Sequence, residues 1–431
     1  MLLYIAILLL IALYAARREW RWISVTSMLL GALLVLFGGG YLYYRSMSGL
    51  DNQVSEYVTT ALIQMWLGLV IGVEIMRHVA KKGSGIRERS LNRWHLVPIR
   101  ASSGDDAVWT LIGIVLLIYL ALMFVALAKG QQIFAFMALD SEVSKRDFRL
   151  ATGMQGGYAL NLVLTTFGPF LAIVIALRAA VTRSRNDVVL AILLVSLVML
   201  FKIATFHKSQ WVWFVIQLLI AWRLMRTPRA NFLTLASVSM VLTGTLLVGA
   251  QLAYPELDVA GLWRYLVYRV FEISNEGLYQ YWYIYPDYIP HTYGLNVGLF
   301  HGLFGSGELV PAHTRVAQFF GSMESTFNAM FIADAWVEAG WTAVFGVSVL
   351  VGMVVKGFDI YSGVLGKSPV GIALIASGFQ GVITLCSTSA FTAFLTGGLL
   401  SLPILVILVR GLSASLGQMV SMSVESAPAA D

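Results

Sequence analysis

Arginines, acids and aromatic rings are concentrated in one stretch of the chain, residues 253–324. It holds Arg264, Arg269 and Arg315 together with His291, His301 and His313. Around them lie Trp263, Tyr265, Tyr268, Tyr279, Tyr281, Trp282, Tyr283, Tyr285, Tyr288 and Tyr293. A guanidinium fork matches phosphate oxygens in a two-point contact. Amphipathic rings match the alternating apolar and hydroxylated faces of a sugar. The residue types therefore point to a phosphate-linked saccharide.

Spacing adds to this. On a helix over residues 261–281, at about 100° per residue, Arg264, Arg269, Glu272 and Glu276 fall on one side. Arg269 and Glu272 are three apart, a spacing that can bridge as an ion pair. The face reads either as a solvated charge ladder or as an anion site with a carboxylate beside it. The segment YWYIYPDYIPHTYG, residues 281–294, has two prolines and a closing glycine and reads as turned backbone. Its tyrosines suit an interfacial aromatic belt or a saccharide platform.

Three smaller groups accompany it. Lys145, Arg146 and Arg149 precede Gly153, Gly156 and Gly157, where backbone can approach a ligand closely. Lys202, His207 and Lys208 fall at the edge of an apolar run. Lys202 lies inside it, where a charge is costly and usually functional. Asp334 and Glu338 form an i,i+4 pair and are expected to hold the outer arginines or Lys202, with catalysis the second reading. Walker A, dinucleotide, HExxH and GxSxG motifs are absent from the sequence. No acid cluster has divalent-metal spacing. No metal, nucleotide or other cofactor is expected, so the donor is expected to be already activated and lipid-linked.

The elements that must position these residues are membrane helices. Of 431 residues 58% are hydrophobic and 12% charged. That composition predicts an all-α polytopic membrane protein. About eleven apolar spans (ten to twelve) are expected: 1–16, 23–44, 58–76, 107–128, 158–181, 187–206, 211–222, 231–252, 326–355, 369–389 and 391–411. The predicted organisation is an N-terminal bundle over 1–252, a large loop over 253–324 containing short helices, further spans over 325–412, and a disordered tail over 413–431. The first apolar run has its charge behind it (Arg17, Arg18, Arg21), unlike a cleaved signal, and is expected to be a retained span. The single cysteine, Cys386, excludes an intrachain disulfide. Nineteen of the 29 Lys and Arg residues fall on one side of these spans and nine on the other. The positive-inside rule then places residues 253–324 and the N-terminus outside and the C-terminus in the cytoplasm. The net charge of +6 follows from those cytoplasmic cations beside anionic lipid, and no nucleic acid is expected as a partner.

Two stretches resemble the Wzy-type oligosaccharide repeat-unit polymerases of bacterial surface polysaccharides. YRVFEISNEGLYQYWYIYP, from Tyr268, is similar to the family's arginine-aromatic outer-loop segment. ESTFNAMFIADAWVEAGWTAVFG, from Glu324, is similar to the family's entry into the following span, where Asn328 precedes an acid-bearing helix. Arg146 and Gly157 match an Arg-x10-Gly spacing found in some members, whereas Arg264, Arg269 and Arg315 have no glycine eleven residues on. Related O-antigen ligases carry His followed by Asn, Ser or Gln. Here His291, His301 and His313 precede Thr, Gly and Thr, which favours a polymerase.

The resemblance implies a GT-C-like glycosyltransferase in the bacterial inner membrane. It would move a growing glycan from polyprenyl pyrophosphate onto a lipid-linked repeat unit, beside a chain-length regulator and a repeat-unit flippase. Arg264, Arg269 and Arg146 would bind pyrophosphate, with Arg149 and Arg315 in support. Glu272 or Glu276 would be the general base. Lys202 and Lys208 would guide the second lipid headgroup, and Tyr268, Tyr281, Tyr285 and His291 would contact sugars. The alternatives are a ligase, a transporter or flippase, and a non-enzymatic assembly subunit.

Overall fold

Long apolar runs leave the backbone no polar partner but itself, so helices are the expected outcome in a membrane protein. The computed structural model of the protein describes residues 1–47, 50–83, 106–128, 162–204, 210–226, 258–297, 309–321 and 329–411, with isolated positions between them. In chain order the helices are α1 (Leu2–Arg18), α2 (Val25–Arg45), α3 (Asn52–Gly83), α4 (Asp106–Ala128), α5 (Gly168–Thr182), α6 (Arg185–Ala204) and α7 (Gln210–Arg226). They continue with α8 (Val259–Val267), α9 (Ile273–Ile284), α10 (Ala312–Phe319), α11 (Phe331–Val364), α12 (Pro369–Ser387), α13 (Ala390–Leu395) and α14 (Ser401–Gly411). No strand occurs among the described residues. Five helices there are long and apolar enough to cross a membrane: Val25–Arg45, Asn52–Lys82, Val163–Thr182, α11 and α12. The protein is therefore an all-α membrane protein.

Contacts divide the chain into two units. One comprises Met1–Asn92, Arg229–Ile360 and Phe379–Gly397; the other comprises Arg93–Pro228, Tyr361–Gly378 and Gly398–Asp431.

In the first unit α3 and α11 cross at glycines. A Cβ on Gly72 would lie 2.0 Å from the Val349 carbonyl oxygen, and one on Gly352 would lie 2.3 Å from that of Leu69. Small residues let two backbones touch where lipid provides no hydrophobic drive. At one end of this pair is a buried ionic group. Arg77 bridges Glu19 and Glu74, Lys356 Nζ lies 3.0 Å from Glu19 Oε2, and Asp359 Oδ1 accepts from the Val25 N–H at 2.8 Å. Asp359 Oδ2 also accepts from the Thr26 N–H, so this carboxylate caps the start of α2. Two of the cations expected simply to face the cytoplasm, Arg77 and Lys356, are thus neutralised inside the protein.

Residues 258–284 do not hang free of the spans. A π-helical turn, Tyr268–Glu272, links α8 to α9. There Phe271 and Asn275 pack on Gly40 of α2, and Asn275 Nδ2 donates to the Leu36 carbonyl at 3.1 Å. Tyr279 Oη accepts from the Asp51 N–H at 2.9 Å. α11 has a break at Ala339–Gly340, where Gly340 takes φ 61°. That conformation favours glycine.

In the second unit α5, α6 and α7 pack together, with Tyr119 of α4 donating to the Leu164 carbonyl at 3.0 Å and meeting Phe201 edge-on. Lys202, on α6, is 5% exposed. The apolar run expected as one span over 391–411 is divided: α13 ends at Leu395, a turn containing Gly397 and Gly398 follows, and α14 starts at Ser401.

Candidate functional site

Two groups of candidate residues lie at opposite ends of the α8–α9 segment. The first is built on α8 and the π turn. Asp258 caps α8 by accepting from the Gly261 N–H at 2.7 Å. Leu262 is buried, whereas Trp263, Arg264, Tyr268, Arg269 and Val270 are exposed. Arginine and aromatic side chains are thus uncovered together along this segment. Arg269 Nε donates to Tyr265 Oη at 3.0 Å, with its guanidinium 5.4 Å from that ring's centre. The Arg269–Glu272 ion pair that the spacing allows does not form. The reason is local: the wider i→i+5 turn moves the third residue on out of register. Glu272 instead accepts from Tyr43 Oη at 3.4 Å. Glu276, one turn on, accepts from Gln280 Nε2 at 3.3 Å. Partial burial, and then the neighbouring Glu272, raise the Glu276 pKa above its ordinary value.

The second group begins where α9 ends. Tyr281 and Tyr285 are buried, at 2% and 0% exposure, so these two rings are packed inside rather than offered as an open platform. The Tyr285 hydroxyl lies beside the Arg315 guanidinium, although no hydrogen bond of good geometry joins them. Burial holds the Tyr285 hydroxyl above its ordinary pKa, against the lowering effect of Arg315. Arg315 Nε donates to the Val310 carbonyl at 2.9 Å. Trp336 of α11 donates from Nε1 to the Tyr285 carbonyl at 3.0 Å and stacks on Trp282 at 5.0 Å. His291 meets Trp336 edge-on at 5.4 Å and lies against Gly340, which is a packing position.

Beside this aromatic stack is a cavity of about 380 Å³. Asp334, Glu338, Asn296, His313, Ser389 and Thr392 contribute its polar lining, and Val297, Phe331, Val347 and Phe391 much of the rest. A mostly apolar wall with a few converging polar groups is the usual form of a ligand site. Glu338 Oε2 accepts from Thr292 Oγ1 at 2.7 Å and from the Gly294 N–H at 2.6 Å, fastening residues 292–294 to α11. Its other oxygen, Oε1, is buried without a hydrogen-bond partner. Asn296 Oδ1 accepts from the Ala312 N–H at 2.9 Å, which turns its amide nitrogen toward Asp334. Burial lowers the His313 pKa below its ordinary value. Among the described residues neither Asp334 nor Glu338 has a basic partner within 4.0 Å, so the expected pairing is not formed with Arg264, Arg269 or Arg315.

No protein-family model, curated protein or solved structure matches the chain.

The candidates therefore separate. Arg264, Tyr268, Arg269, Glu272 and Glu276 form one station; Tyr281, Tyr285, His291 and Arg315 lie at the other, beside the cavity. Arg269 and Tyr285 are sixteen residues apart, roughly 24 Å along a helix. Lys202 belongs to the second unit. Arg146, Arg149 and Lys208 lie outside the described residues, as does Asn328. Asn296, Ser389 and Thr392 carry no signal in the sequence that marks them. They are ordinary polar residues until folding brings four separate segments to one cavity. No group of three metal-ligating side chains occurs among the described residues.

Proposed function

We propose that the protein is a GT-C-like polysaccharide polymerase of about eleven spans in the bacterial inner membrane. It transfers a growing glycan from polyprenyl pyrophosphate onto a lipid-linked repeat unit at the periplasmic face. The observation that carries this reading is the set of exposed arginines and rings, Arg264 and Arg269 with Trp263 and Tyr268 and the half-buried Tyr265, on a segment packed directly against α2. A phosphate on a membrane-embedded lipid meets such a segment without leaving the bilayer. Guanidinium groups there neutralise the pyrophosphate, and the rings hold the lipid-proximal sugar or the lipid interface. Both substrates of a polymerase are lipid-linked, and two separated stations suit that requirement. Arg146 and Arg149, and Lys202 with Lys208, remain the candidates for the second headgroup. Chain-length regulator and flippase are the expected partners.

The test is glycan chain length in cells carrying Arg264→Ala or Arg269→Ala at matched membrane abundance. Loss of polymer with accumulation of single lipid-linked repeats is expected, with partial rescue by Arg269→Lys, since lysine lacks the fork. Wild-type chain lengths from both alanine variants would remove the reading. Sidedness is read separately with Phe304→Cys, an exposed position, after Cys386, the sole cysteine, is replaced by alanine. Labelling by an impermeant thiol reagent in whole cells is expected.

A transporter is the second reading, and the buried Glu19–Arg77–Lys356 group is the observation in its favour, because intramembrane charge commonly marks a transport path. These charges are matched to one another and to the start of α2, which suits a clamp better than a path. Single lipid-linked repeats left on the cytoplasmic side in cells lacking the protein would favour the transporter, whereas long lipid-linked polymer there would favour a ligase.

A further inference from the structure

We propose that the cavity lined by Asp334 is a saccharide subsite, in which one sugar of the acceptor repeat is enclosed and Asp334 takes the proton of its attacking hydroxyl. The inference rests on the polymerase reading and assigns its acid–base step to a residue outside the Arg264–Glu276 face.

Four observations lead there. The cavity is large enough for a ring-sized ligand, about 380 Å³, and its lining mixes an aromatic ring, Phe391, with hydroxyl, amide and carboxylate groups. Those are the groups that match a sugar's apolar face and its hydroxyls. Of the two acids, Glu338 is committed through Oε2 to Thr292 and Gly294 and so is a positioning residue for the loop. Its Oε1 is buried and has no hydrogen-bond partner, a condition that a ligand hydroxyl would relieve. Asp334 has no backbone donor and no basic partner among the described residues, and its amide neighbour Asn296 is itself anchored to Ala312. It is the acid left available to accept a proton.

Glu272 and Glu276 fit the step less well. They lie on the segment that also carries Arg269, with Glu276 five residues and Glu272 nine residues before Tyr281. Neither lines the cavity. In the step itself the acceptor hydroxyl oxygen forms a bond to the donor's anomeric carbon. The bond from that carbon to the phosphate oxygen breaks, its electron pair leaves with the polyprenyl pyrophosphate, and the hydroxyl proton passes to the Asp334 carboxylate. Arg315, beside Tyr285 and two residues after His313 of the cavity wall, is the candidate to meet the departing charge, and the arginines of the Arg264–Arg269 segment then hold the acceptor's own pyrophosphate.

The experiment compares Asp334→Asn with the Arg264→Ala variant in cells, and measures binding on purified protein. The probe is the oligosaccharide released by mild acid from the cell's own lipid-linked repeat, followed by quenching of tryptophan fluorescence near Trp336. Asp334→Asn is expected to stop polymerisation at least a hundredfold while changing oligosaccharide affinity less than threefold. Thr392→Trp, at an exposed position on the cavity wall, is expected to weaken binding tenfold or more and shorten chains. If Asp334→Asn lowers membrane abundance, Thr392→Trp decides. Wild-type chain length from Asp334→Asn at normal abundance, or from Thr392→Trp, overturns the subsite. If the arginine variants still fail, the polymerase reading stands without it. Unchanged chain length on deleting the whole gene would instead remove that reading itself.

Discussion

Gly72 of α3 passes the Val349 carbonyl of α11 so closely that a methyl group in place of its hydrogen would lie 2.0 Å from that oxygen. Gly352 makes the reciprocal approach to Leu69, so the two helices touch backbone to backbone over a full turn. α11 carries Asp334 and Glu338, and its depth against α3 decides where they sit. Gly72→Ala is expected to force the helices apart and to destabilise the protein by more than the usual 1–3 kcal/mol of an overpacked core. Gly113→Ala, where added carbon meets nothing, is the matched control. Thermal unfolding in detergent reads the difference. Equal midpoints for the two variants would contradict the crossing.

The ionic group at the other end of α11 gives a second expectation. Arg77, Glu19 and Lys356 are 3–5% exposed, so removing one partner leaves a charge stranded. Arg77→Ala is expected to cost about 3–5 kcal/mol. Arg77→Met with Glu19→Leu removes a matched pair, leaves Lys356 to Asp359 and Glu74 to Arg18, and should recover most of that loss. A double variant no more stable than Arg77→Ala would mean that the group does more than balance charge.

Glu276 supplies the pH dependence. Its folded-state pKa lies above the ordinary value of 4.5, so the folded protein holds this proton more tightly than the unfolded chain. The corresponding stability is fully present below pH 4.5 and is lost as pH rises through the raised folded value. At neutral pH the ionised carboxylate is a cost, set by burial and by Glu272. Glu276→Gln is expected to raise the unfolding midpoint above wild type at pH 7, with the gap closing near pH 4. A gap that widens toward acid would reverse the sign and refute the argument.

Much of this protein is local in origin and legible without a structure. Runs such as 58–76 and 369–389 are helices because an apolar segment in lipid has no other way to satisfy its backbone. Asp258 ahead of α8 and the Gly261 N–H it caps are three residues apart, and the exposed arginines and rings of 263–269 follow from short spacing as well. What tertiary structure alone decided is each pairing that depends on register or on distant segments. Arg269 and Glu272 have the spacing of an ion pair, yet one π-helical turn separates them and gives Arg269 to Tyr265. Asp334 and Glu338 look like counterions for the outer arginines. Glu338 is instead spent on Thr292 and Gly294, and Asp334 faces a cavity whose walls come from residues 294–297, 311–313, 331–347 and 388–392. The apolar run 391–411 satisfies every compositional rule for one span, but its chain turns at Gly397–Gly398. Composition records which residues prefer lipid, and spacing records which can share a helix face. Neither records which helix lies beside which, because that is set by close contacts such as Gly72 on Val349, made between residues 277 positions apart.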